Sequence, residues 1–137
     1  GLARAAQAAM SARARAFART ALLAALALGG CADAPIVADT PRIVTAQRIA
    51  PWEKHEDCAN AAEGDRIDFR FNTTEPVDFD LYYREGPAVI IPLSRKRVSA
   101  DSGIFAVQIP ARYCLAWQAG AAGTFVDYYI TLHGRSR

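Results

Sequence analysis

Proton transfer, nucleophilic attack and metal ligation each require particular side chains, and this sequence holds few of them. Histidine occurs twice, as His55 and His133. The densest chemical stretch is Trp52-Glu53-Lys54-His55-Glu56-Asp57-Cys58, in which His55, Asp57 and Cys58 bring imidazole, carboxylate and thiol together. Such a set suits a small ligand or a metal ion. It lacks the second ligand pair that zinc spacing demands, so His55 and Asp57 are weak candidates, and neither a metal nor a cofactor is expected. Asp65, Asp78 and Asp80 offer oxygen ligands for calcium, but no D-x-D-x-D-G loop surrounds them. Neither a Gly-rich phosphate loop nor a G-x-S-x-G elbow accompanies the histidines. A small hydrolase is therefore the least favoured reading, and no catalytic residue is expected.

Binding chemistry is better represented. Arg95-Lys96-Arg97 is the sharpest run of charge. On an edge strand these cations discourage pairing between sheets; beside a membrane each adds about 1 kcal/mol of attraction to anionic head groups. Trp52 and Tyr82, with Tyr83, Trp117 and Tyr129, offer amphipathic faces for stacking a sugar or a peptide, or else fill a core. The candidate binding residues are therefore Trp52, Tyr82, Arg95, Lys96 and Arg97. Charge is uneven along the chain. Ten acids against four bases lie between Glu53 and Glu85, whereas two acids against six bases follow from Gly86 onward. If strand order separates those halves, the domain gains an acidic face and a basic face.

The 137 residues are 52% apolar and 22% charged, which fits one globular domain and excludes wholesale disorder. Four arginines and no acid precede position 31. The basic balance therefore belongs to the leader, and nucleic-acid binding is not expected. Read from Met10, a basic stretch to Arg19 is followed by an apolar run from Ala21 to Leu28 and then Gly29-Gly30-Cys31. That run is too short for a hydrocarbon core needing about 20 residues, and it suits the h-region of a secretory signal. Residues 1 to 9 read as an upstream extension.

Leu28-Gly29-Gly30-Cys31 resembles the lipobox of bacterial lipoproteins. The resemblance implies removal of a helical signal peptide, residues 10 to 30, and acylation of Cys31 by diacylglyceryl and palmitate-type chains. It also implies anchoring in the bacterial outer membrane facing the periplasm, because Ala32 rather than Asp follows Cys31; the inner membrane and a soluble periplasmic form are the alternatives. Lipidation leaves two cysteines in an oxidising compartment, so Cys58 and Cys114 are expected to pair.

These residues need a frame. Ala32 to Pro41 has no periodicity and reads as a flexible tether within residues 31 to 41. Beyond it the pattern has period two: Ile67, Phe69 and Phe71 alternate with polar residues, as do Val77, Phe79, Leu81 and Tyr83. Turn chemistry at 72–76 and 84–87 separates these strands. Further strands are expected at 43–49, 88–93, 97–99, 104–109, 112–117 and 124–133. The expected core is Phe69, Phe71, Phe79, Leu81, Ile91, Phe105, Val107, Leu115, Val126, Tyr128 and Ile130. The pattern describes an all-β antiparallel sandwich or jelly roll over residues 42 to 137.

The run from Val77 to Gly86, then Ser102-Gly103-Ile104-Phe105, then Tyr113-Cys114-Leu115-Ala116-Trp117-Gln118 resembles successive strands of GOLD-like domains. That resemblance implies a β-sandwich with Cys58 bridged to Cys114. The functional expectation is a membrane-anchored, non-catalytic binding or assembly module with a protein or envelope-component partner. The alternative is a small-ligand or metal binder in the His55, Asp57 and Cys58 region.

Overall fold

The structure, a computed structural model, describes residues 34–135. The expected leader, the helix expected within it and Cys31 lie outside the described residues. Six strands follow in chain order: β1 (Arg42–Ile49), β2 (Lys54–Ala61), β3 (Arg66–Glu85), β4 (Ala88–Ala106), β5 (Ala111–Ala119) and β6 (Thr124–His133). All pair antiparallel in one curled sheet of order β1-β6-β3-β5-β2, with β4 on the other side of β3. The all-β expectation holds, and no helix occurs among the described residues.

β3 organises the sheet. Its alternation buries Ile67, Phe69, Phe71, Val77, Phe79, Leu81 and Tyr83 on one face. One of its edges pairs with β4. The other serves two strands in turn, β6 along Arg66 to Thr73 and β5 along Val77 to Tyr82. The stretch 72–76, expected to be a turn between two strands, instead lies inside this one strand as an irregularity in its pairing with β4. Turn-forming residues suit such a bulge, and Pro76, which has no N–H to give a ladder, is tolerated there. Buried Thr124 repairs the gap: its hydroxyl accepts from the Glu75 N–H at 3.0 Å and donates to the Glu75 carbonyl at 3.0 Å.

The inward side chains of both lengths of β3 meet one aromatic cluster. Phe79 lies 5.2 Å from Phe69, 4.7 Å from Phe71 and 5.6 Å from Trp117, centroid to centroid, and Trp117 lies 4.5 Å from Tyr128. Each large side chain so enclosed contributes about 1.5–3 kcal/mol.

Several expectations need correction. β2 was not foreseen, and the segments expected at 88–93, 97–99 and 104–109 are largely one strand, β4. Ile91, expected in the core, is 49% exposed. Between the pairs Leu81↔Leu93 and Tyr83↔Ile90, β4 carries one residue more than β3. That slip turns Ile91 outward while Ile90 and Leu93 pack on the core. The acidic and basic halves do not form separate faces, because acidic β2 and β3 alternate with basic β5 and β4. The distal part of the expected tether is fastened: the Asp39 N–H donates to the Leu132 carbonyl at 2.7 Å, and Ile36 packs against the core.

Cys58 and Cys114 form a disulfide between directly opposed residues of β2 and β5, 56 positions apart in sequence. Replacing both with alanine is expected to cost about 4 kcal/mol, from the loop closure that the bridge contributes. Urea unfolding of the double variant beside oxidised wild type measures this.

Candidate functional site

Left-handed backbone is costly for any residue with a Cβ, by roughly 1–2 kcal/mol. Among the described residues four that are not glycine adopt it: Asp39, Ala46, Trp52 and Arg97. Aspartate tolerates the conformation better than most. Trp52 (φ 65°) and Arg97 (φ 54°) do not share that ease, and both line one cleft of about 460 Å³.

The cleft forms where β3 changes partners. Trp52 occupies the turn between β1 and β2. Its N–H donates to the Gly120 carbonyl at 3.1 Å, and its carbonyl accepts Gln118 Nε2 at 2.7 Å. The backbone is therefore clamped on both sides, while the side chain stands 69% exposed. Opposite runs the 120–123 turn between β5 and β6. It closes on Gly123 (φ 67°), where a Cβ would stand 2.9 Å from the Ile49 carbonyl oxygen. Arg97 sits in a bulge of β4 that places Lys96 and Arg97 opposite Asp78, and its N–H donates to Asp78 Oδ1 at 2.9 Å. Glu75 and Asp78 bring carboxylates to the same wall. An indole plate thus stands in a hollow that offers hydrogen-bond donors and acceptors.

Sequence reasoning singled out Trp52 and Arg97, 45 positions apart, and the fold places both on this cleft. It did not single out Glu75, Gln118 or the 120–123 turn for binding. The other candidates go elsewhere. Arg95 Nε lies 3.4 Å from Asp101 Oδ2, and Lys96 is exposed on β4, which pairs only with β3. Tyr82 lines a separate hollow of about 320 Å³ beside the disulfide. There its hydroxyl donates to Glu56 Oε2 at 2.7 Å. Burial, then the hydrogen bond and negative charge of Glu56, push the Tyr82 hydroxyl above its ordinary pKa.

His55 and Asp57 lie on the inward face of β2, whereas Cys58 lies on the outward face with its sulfur in the bridge. A thiolate from Cys58 is therefore not available to His55 and Asp57. The two join a polar chain instead. His55 Nε2 is 3.1 Å from the Tyr128 hydroxyl, which donates to Asp57 Oδ2 at 2.9 Å, and Arg42 lies 3.5 Å from the same oxygen. With the Tyr128 O–H directed at Asp57, the Tyr128 oxygen can accept from His55 in the tautomer carrying its proton on Nε2. His133 Nε2 meets Asp68 at 3.1 Å. Asp65 accepts the Ala62 amide and Asp80 the Ser94 hydroxyl.

Neither a scan against protein-family models nor a search of curated proteins returns a match to this chain.

Two outcomes follow. Trp52→Gly and Arg97→Gly each relieve left-handed strain at the cost of a more flexible unfolded chain, and each is expected to raise stability by about 0.5–1 kcal/mol in thermal melts. The raised Tyr82 pKa means that the folded state holds its proton longer than the unfolded state does. Its contribution to stability is fully present below the unfolded value of about 10 and is lost as pH rises through the folded value. Tyr82→Phe is expected to flatten this alkaline loss in urea titrations, leaving the part due to Tyr113, whose pKa is also raised, chiefly by burial.

Proposed function

We propose that this chain is a lipid-tethered, non-catalytic binding module of the bacterial envelope, and that it holds its partner in the cleft around Trp52 and Arg97. One observation carries the reading: an exposed indole and a guanidinium are both held in costly backbone conformations at one hollow. Neither packing nor turn chemistry calls for tryptophan at that place, since glycine would fit the turn better. Strain retained at a cleft is a mark of function. Neither histidine lines this cleft, His55 meeting Tyr128 and His133 meeting Asp68, so the cleft offers recognition groups and no imidazole base. Trp117 of β5 stacks on Tyr128 of β6, a strand with which β5 does not pair, and this supports a sandwich-like description of the curled sheet, as the GOLD-like resemblance implies.

An acylated Cys31 in the outer membrane, facing the periplasm, is the anchor that the lipobox resemblance implies.

Immobilised wild-type chain, challenged with solubilised envelope material, is expected to retain a component that Trp52→Gly retains about tenfold less. Equal retention by both overturns the reading. Intact mass of membrane-extracted protein, with Cys31→Ala as control, tests the anchor: acyl increments are expected on wild type alone.

A further inference from the structure

We infer that the Trp52 cleft takes a hexose unit of a neutral glycan. The inference rests on the binding reading above and names its ligand class. A pyranose has an apolar C–H face and a rim of hydroxyls, each both donor and acceptor. An indole presents the electron-rich face that such C–H groups stack upon. Glu75, Asp78, Arg97 and Gln118 share the lining with it. Asp78 Oδ1 already accepts the Arg97 N–H and Gln118 Nε2 already donates to the Trp52 carbonyl, which leaves Asp78 Oδ2 and Gln118 Oε1, with the Glu75 and Arg97 side chains, to serve hydroxyls of either sense.

Size and charge narrow the choice. About 460 Å³ lies within the usual range for small-ligand sites. Two carboxylates against one guanidinium leave the lining net negative, which disfavours phosphates, nucleotides and acidic polymers. The strand residues in its walls, Val77 with Ala119 and Asp78 with Gln118, are already paired with one another, and Arg97 lies in a bulge, so the cleft offers no regular free ladder for an extended peptide. Ala121 and Ala122 add little bulk beside the indole. The clamped backbone also matters, because a weakly held, highly hydrated ligand gains most from a site ordered in advance.

The test uses full-length chain and four neutral probes: cellotetraose, xylotetraose, maltotetraose and the tetramer of N-acetylglucosamine. Trp117 is 0% exposed, so a change in indole emission on titration reports Trp52, and Trp52→Gly confirms the assignment. At least one probe is expected to bind at micromolar to millimolar concentration. Trp52→Gly and Arg97→Gly should each weaken it about tenfold or more, Trp52→Phe should retain part of the affinity, and glucose 6-phosphate should bind less well than glucose. Binding that is unaffected in Trp52→Gly overturns the assignment. Silence from all four probes also overturns the glycan inference: if Trp52→Gly nevertheless abolishes capture of an envelope component, the binding reading stands with a different ligand, and if capture is unchanged both fall.

Discussion

One edge of β3 has to satisfy two neighbours in succession, and most of this architecture follows from that. A strand of twenty residues is too long to remain straight beside short partners, and its ladder passes from β6 to β5 at the irregular stretch around Glu75. At such a hand-over some backbone groups lose their strand partner, and unpaired buried amides are expensive. Thr124 meets the need by offering one hydroxyl to both the N–H and the carbonyl of Glu75. The inward pattern survives, since Phe71 and Val77 are separated by an even number of positions. The cleft is a by-product of this junction, for β5 must end and β6 must begin beside it.

The outer strand β2 is secured from both faces. On the outward side the disulfide and the Tyr82–Glu56 hydrogen bond fasten it toward β5 and β3. On the inward side Asp57 and His55 meet Tyr128 of β6, and Arg42 of β1 meets Asp57. β1 and β2 are the opposite ends of the strand path, so these side chains draw together two ends that no ladder joins. Charge and sulfur together hold a strand whose inward residues at Ala59 and Ala61 are too small to hold it by packing alone.

The alternation of Phe, Leu and Val against Asp and Arg made the all-β class and the two lengths of β3 legible, because a half-buried strand has no other economical pattern. β6 was read to its ends for the same reason. β2 was not legible: Lys-His-Glu-Asp-Cys-Ala-Asn-Ala has low strand propensity and owes its conformation to pairing with β5 and to the bridge, which are tertiary effects. Asn, Thr and Pro around position 74 carry the same local signal for a turn and for a bulge, and only the partner strands decide between them. Ile91 failed because an extra residue in a ladder inverts which face the next side chain takes. Trp52 and Arg97 were visible by type; the hollow uniting them was not, since it is assembled from segments distant in sequence.

Because the indole of Trp52 projects from a backbone-clamped turn and contributes little to the interior, its identity touches folding only through the left-handed backbone beneath it. The same is true of Arg97 on its bulge. A lineage carrying this scaffold is therefore free to retune what the hollow accepts by single substitutions at these two places, with no compensating change in the aromatic interior. Selection would weigh recognition there against a backbone that favours glycine, and not against the packing of β3.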